Sequence, residues 1–204
     1  IQKTSEISIK NGFNIQELLK DIKHFKKEHK SIPIIIMTYA NPIIQFESNK
    51  FCKEAEKCGV DGLLLVDVPP EQAKTVINQS TKLDMIRLVT ATTNLTRIEK
   101  IQKGGSGFIY YVSVKGITGT QKPNAKTIKT HLDIIKNKII LPTVIGFGIS
   151  NKTIGKEMAS ISDGIIIGSA FLKPLLKAGT NINKATVNEQ LNFIYNISKN
   201  INDN

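Results

Sequence analysis

The chain has 204 residues, 40% hydrophobic and 22% charged, with a formal net charge of +11. That is enough for one domain with a sizeable core. No apolar run approaches the ~20 residues of a membrane-spanning helix and no signal-peptide pattern opens the chain, so neither a membrane protein nor a secreted one is expected.

The two cysteines, Cys52 and Cys58, have no His or Cys at ligand spacing, which argues against a zinc site and against a disulfide framework. Both read as small, partly buried helix residues in a reducing compartment. The lysines are spread along the helices, Trp is absent, and the aromatics are not interleaved with charge. A base-stacking platform needs that interleaving, so no nucleic-acid partner is expected. Solvated helix faces account for most of the charge, leaving a modest pull on anionic substrates.

In chain order, Asn14 caps a first helix, with Glu17 placed as in a capping box and Ile15, Leu18, Leu19, Ile22 and Phe25 on one face. The apolar run 32–39 is a first strand. Ser48 caps the next helix, Phe51, Ala55 and Cys58 form its stripe, and Gly59 stops it. Further runs at 62–68, 85–91, 107–114, 139–148 and 164–172 read as strands. Val76–Ile77, Leu95–Ile98–Ile101, Ile128–Leu132–Ile135 and Leu191–Ile194–Ile197 mark four more helices. The strands lack alternation, so both faces of each should be buried, as in parallel sheets. This alternation of strand and helix reads as one α/β domain over 1–204 without a linker. An open sheet for dinucleotides carries its glycine-rich turn after the first strand, whereas here such turns follow the last two, which favours a (β/α)8 barrel.

Those two turns are Gly146-Phe147-Gly148-Ile149-Ser150 and Gly168-Ser169-Ala170. Glycine lets backbone N–H groups approach an anion, and Ser169 would open a helix whose N-terminus favours phosphate. Each alone could be an ordinary turn, but two on successive strands point to the phosphate site of a barrel. Gly116-Ile117-Thr118-Gly119 reads either as a mobile loop closing over that site or as a plain solvated loop. Asp67, at the C-terminal end of the run LLLVDVPP, is either a catalytic carboxylate at a strand end or a cap of the helix near Pro69 and Pro70. Tyr39 and Tyr110 point into the barrel mouth or lie in the core. His24, His29 and His131 lie on helices, away from strand ends, and read as surface residues. No metal-ligand cluster and no Gly-x-Ser-x-Gly elbow is present.

The string Pro33 to Pro42 (PIIIMTYANP) resembles the third strand of the tryptophan synthase alpha chain family. Gly59-Val60-Asp61-Gly62 through Asp67-Val68-Pro69-Pro70-Glu71 resembles its fourth. Gly107 to Ser113 with Gly116–Gly119 resembles its sixth strand and mobile loop. Gly146–Ser150, and Asp163-Gly164 with Gly168-Ser169-Ala170, resemble strands seven and eight. The resemblance implies a (β/α)8 barrel and a retro-aldol cleavage, without cofactor or metal, of indole-3-glycerol phosphate to indole and glyceraldehyde 3-phosphate. It implies that Gly119, Gly148, Gly168 and Ser169 hold the phosphate. Phe147 and Tyr110 line the glycerol phosphate region, Tyr110 as an auxiliary to the chemistry. Met37, Tyr39 and Leu64 contact the indole end, and Thr118 belongs to the closing loop. Asn41, Pro42, Asp67 and Pro69 meet the beta subunit of an alpha2-beta2 complex, which moves Asp67 away from a primary catalytic role.

The family's two catalytic carboxylates lie on the second strand and in the loop after it, and this chain begins, at Ile1, just beyond that loop. The first two strands and the first helix are expected to be absent with them. Six strands cannot close an eight-stranded barrel without exposed edges, so the 204 residues are expected to belong to a longer polypeptide. By themselves they are expected to bind phosphate poorly and not to catalyse. Two other readings stay open: a non-catalytic barrel partner of a beta subunit, and another phosphate-binding barrel isomerase or epimerase. The compartment expected is the cytoplasm or an organelle stroma.

Overall fold

The computed structural model describes residues 2–77, 81–112, 125–146 and 148–202. In chain order the elements are α1 (Gln2–Lys10), α2 (Ile15–Glu28), β1 (Ile35–Thr38), α3 (Ala40–Gln45), α4 (Ser48–Cys58), β2 (Gly62–Leu65), α5 (Ala73–Val76), β3 (Asp84–Thr90), α6 (Leu95–Gln102), β4 (Ile109–Val112), α7 (Ala125–Lys136), β5 (Thr143–Ile145), α8 (Lys152–Ala159), β6 (Gly164–Ile165), α9 (Ser169–Ala178) and α10 (Lys184–Asn202). Among the described residues, no helix is long and apolar enough to cross a membrane.

The chain divides into two compact units. One is Ser8–Leu88 with Asn94–Ile109; the other is Ile1–Ile7, Val89–Thr93 and Tyr110–Asn204. In the first unit β1, β2 and β3 pair in parallel, with Met37 opposite Leu64 and Gly62 opposite Asp84. Helices α2 and α4 pack on this sheet, and its core holds Leu19, Ile22, Ile36, Ile43, Phe51 and Leu63. Phe51 and Ile43, at 1% and 0% exposure, each contribute about 1.5–3 kcal/mol through burial. In the second unit β5 and β6 pair in parallel, Ile145 opposite Ile165, and the Gly146 N–H donates to the Tyr111 carbonyl at the end of β4. Ile128, Leu132, Ile135, Ile145, Met158 and Ile197 are buried there.

The expected signals set several boundaries. The Asn14 side chain accepts the Glu17 N–H at 3.0 Å and opens α2. Gly59 ends α4 at φ 90°, a left-handed conformation that glycine adopts without strain. Ser48 does not cap α4: it is the first helical residue, the cap position falls on Glu47 at φ 72°, and no side chain bonds the free N–H groups. The run 164–172 is strand only at Gly164–Ile165; from Ser169 it is helix, because helix and buried strand share an unbroken apolar signature. The run 139–148 likewise shortens to Thr143–Ile145.

Burial on both faces holds for β2, whose four residues are all buried. It fails for β1, which alternates: Ile36 is buried while Ile35 and Met37 are exposed. Of its two faces, only the one carrying Ile36 reaches the packed core.

Candidate functional site

β5 and β6 are paired parallel strands, so their C-terminal ends leave the sheet side by side, and the Ile166 N–H donates to the Ile145 carbonyl at 2.8 Å beyond the last paired residues. The two glycine-rich turns start there. Gly148 takes φ 68°, in the left-handed region, and lies exposed. Gly168 occupies the cap position of α9 and its carbonyl accepts from the Phe171 and Leu172 N–H groups. Ser169 is the first residue of that ten-residue helix and is exposed. The first N–H groups of a helix have no intrahelical acceptor, and the helix dipole favours an anion there. Gly148, Gly168 and Ser169 are thus placed in one unit, on turns leaving adjacent strands. Gly119, Thr118 and Phe147 lie outside the described residues.

Tyr110 of β4 is half-buried, and its hydroxyl donates to the Gly146 carbonyl at 3.2 Å. Burial pushes its phenol pKa up, so it stays a neutral donor. A Cβ on Gly146 would lie 2.3–2.5 Å from the Tyr110 ring, which explains the first glycine of the turn as the seat of this tyrosine. The next residue, Tyr111, is fully buried, and burial pushes its phenol up to about 12. Its hydroxyl lies 2.9 Å from Nδ1 of His131. His131 is therefore not a surface residue: it is half-buried, its ring packs at 5.6 Å from that of Tyr111, and burial lowers its pKa. His24 and His29 are exposed, as read from the sequence. The double Tyr was the available signal, since adjacent strand residues face opposite sides and one of the two must enter the core.

In the other unit, Met37 and Leu64 stand in register on β1 and β2, Met37 exposed and Leu64 buried. Tyr39 follows, also exposed. Asp67 caps neither Pro69 nor Pro70: its Oδ1 accepts the N–H of Ala40, the first residue of α3, at 2.9 Å. That bond ties the loop after β2, with Pro69, to the start of the helix that carries Asn41 and Pro42. Asn41, Asp67 and Pro69 are exposed, and Pro42 is half-buried. No group of three His, Cys, Asp or Glu residues that could hold a metal occurs among the described residues.

The family model described as tryptophan synthase alpha chain matches residues 1–201. The tryptophan synthase alpha chain of Zymomonas mobilis is 40% identical over 185 residues, 89% of this chain and 67% of that one. That of Paraburkholderia phytofirmans is 36% identical over 180 residues, 87% of this chain and 67% of that one. The chain thus spans about two thirds of the length of the curated relatives it matches. Among solved structures, tryptophan synthase subunit alpha from Legionella pneumophila superposes with a TM-score of 0.88 at 27% identity, covering 100% of this chain and 75% of that one. A chain from a study of mutual activation in the tryptophan synthase a2b2 complex of Pyrococcus furiosus superposes at 0.84, with 29% identity over 97% of this chain and 79% of that one. The fold is of the (β/α)8 barrel type, with six of its strands among the described residues. The chain belongs to the tryptophan synthase alpha chain family.

Proposed function

We propose that this chain is the phosphate-binding and partner-docking part of a carbon-carbon lyase, the alpha subunit of tryptophan synthase, which cleaves indole-3-glycerol phosphate to indole and glyceraldehyde 3-phosphate. The observation that carries the reading is the pair of glycine turns leaving adjacent parallel strands, the second opening α9 at Ser169. N–H groups aimed from two such turns hold a phosphate without a metal. In this reading Gly148, Gly168 and Ser169 take the phosphate, with Gly119. Tyr110 and Phe147 line the glycerol phosphate region, and Thr118 belongs to the closing loop. Met37, Tyr39 and Leu64 face the indole end. Asn41, Pro42, Asp67 and Pro69 face the beta subunit, and the Asp67–Ala40 bond holds the two docking segments together. The residues form a single barrel domain working in the cytoplasm or a stroma, and no cofactor enters the reaction.

In the family's reaction one carboxylate acts as the general acid/base and a second stabilises positive charge on the indole nitrogen as the ring is protonated. Neither carboxylate falls among the residues matched to the family's motifs, and Asp67 accepts the Ala40 N–H in the docking segment, so the 204 residues by themselves are expected to release no indole. The protein isolated from its source should release indole from indole-3-glycerol phosphate, with an intact mass above the 22.6 kDa of this chain by about 5–6 kDa, the difference from a standard barrel. An isolated protein of 22.6 kDa that stimulates a beta subunit but releases no indole would replace the lyase by a non-catalytic barrel partner. Indole release by the 204 residues alone would refute the assignment of catalysis to other residues.

A further inference from the structure

The chain has two arginines, Arg87 and Arg97. Arg97 is half-buried and forked onto Glu71, Nη1 to Oε1 and Nη2 to Oε2. Arg87 lies on β3 and is only 7% exposed. Its Nη2 donates to the Gly104 carbonyl at 3.1 Å, while its Nε is closed off with no acceptor among the described residues. Glu71, whose charge acts on Arg87, has both oxygens on Arg97. A buried guanidinium held by one neutral carbonyl lacks, among the described residues, a counter-charge in contact with it, and buried charges are as a rule paired.

Arg87 forms part of the wall of a cavity of about 430 Å³ in the first unit. Lys74 and Lys103 stand on the same wall, together with Thr81 and Ser106, and among the described residues no carboxylate does. The Gly104–Gly105 turn closes the cavity beside Arg87. A Cβ on Gly105 would lie 2.8 Å from Arg87 Cγ, so only a glycine lets the turn come down on the arginine stem. A cavity of this size admits a small ligand. Three cations, no anion on the wall, and a buried guanidinium short of acceptors select a negatively charged one.

We propose that this cavity is a binding site for a small phosphate-bearing anion, paired with the Arg87 guanidinium and flanked by Lys74 and Lys103. The oxyanion pairs with the guanidinium and supplies the charge that Gly104 cannot. These residues are other than those assigned to the substrate phosphate, so the site stands whether or not the lyase reading does. With two arginines in the chain, nitrogen–proton correlation spectra near neutral pH carry two side-chain Nε–Hε signals, and Arg97 is the internal control. The Arg87 signal is the one lost in Arg87→Lys, or, should that variant not fold, the one kept in Arg97→Lys. Inorganic phosphate and glycerol 3-phosphate are titrated separately into the purified chain, each against sodium chloride of equal ionic strength. The Arg87 signal should shift and saturate with at least one of them while the Arg97 signal moves little. Saturation by inorganic phosphate means that the free ion suffices, and saturation by the ester alone means that the body of the ligand contributes. Replacing Lys74 and Lys103 together by Gln should weaken the binding about tenfold. An Arg87 signal that does not saturate with either anion, or that chloride shifts equally, overturns the proposal.

Discussion

At Tyr110 and Gly146 a single hydrogen atom decides the geometry. The ring occupies the space of an absent Cβ, and its hydroxyl bonds the carbonyl of the same glycine. Gly146→Ala should destabilise the chain by about 1–3 kcal/mol, the usual cost of overpacking, in urea unfolding. In a Tyr110→Ala background the same change should cost little, because the clash is gone. An equal cost in both backgrounds would mean that the ring is not what the glycine accommodates. One residue on, the buried hydroxyl of Tyr111 lies 2.9 Å from Nδ1 of His131, and the tautomer of the imidazole decides which of the two donates. Burial lowers the His131 pKa below its usual 6.5. The folded state therefore binds fewer protons than the unfolded one across that window. This part of the stability is complete above about pH 6.5 and is lost as the pH falls from there toward the folded-state value. His131→Gln should flatten that stretch of the pH–stability curve, and an unchanged slope would exclude His131 as its source.

Among the elements, one device recurs at the N-terminal ends of strands. Asp61 precedes β2, and its Oδ2 accepts the Ile34 N–H just before β1 at 2.7 Å. Asp163 precedes β6, and its Oδ2 accepts the N–H of Thr143, the first residue of β5, also at 2.7 Å. Each Asp-Gly pair thus pins its strand to the preceding neighbour and satisfies a donor where the ladder begins. The Lys26 ammonium on Asp61 holds that carboxyl below its usual range, so its contribution is present above about pH 4 and fades as the pH falls further. Asp61→Ala and Asp163→Ala should each cost at most about 1 kcal/mol in unfolding free energy, given the exposed setting of the bonds; a loss within error would reduce them to spacers. Both Asp-Gly pairs could be quoted from the sequence, but their acceptor role could not, since the partner N–H lies 27 and 20 residues away. The strands and the main helices were legible because apolar runs and stripes are local signals. α1, α3 and α8 were not: the first two are short or weakly patterned, and the cap of α8, Asn151, reads in the sequence like any polar turn residue. Long-range choices, such as Asp67 bonding Ala40 rather than the prolines beside it, are settled only once β1 and β2 have paired.

For the molecule, the two proposed roles fall on different compact units. The phosphate turns at Gly148 and Ser169 belong to the unit built on β5 and β6, while α3 and the loop after β2 belong to the unit built on β1, β2 and β3. On the latter, Ile44 and Val66 are exposed at 55% and 37%, and Asn41, Asp67 and Pro69 of the same segments are exposed as well. Apolar residues ringed by polar ones are the usual make-up of an interface. Each unit has its own buried core, so a surface change in one should leave the other folded. Ile44→Asp puts a charge into the proposed contact and should weaken binding to a tryptophan synthase beta subunit at least tenfold in sedimentation experiments. It should leave affinity for a phosphate ester at the glycine turns within about twofold. Ser169→Asp should do the reverse, since a carboxylate at the start of α9 repels the anion that its N–H groups attract. Asp67→Ala should resemble Ile44→Asp in a milder form, because it frees the Ala40 N–H and loosens the docking segments without removing apolar contact. If Ile44→Asp and Ser169→Asp each impair both activities equally, the two roles do not divide between the units, and the assignment of docking to α3 and the loop after β2 fails.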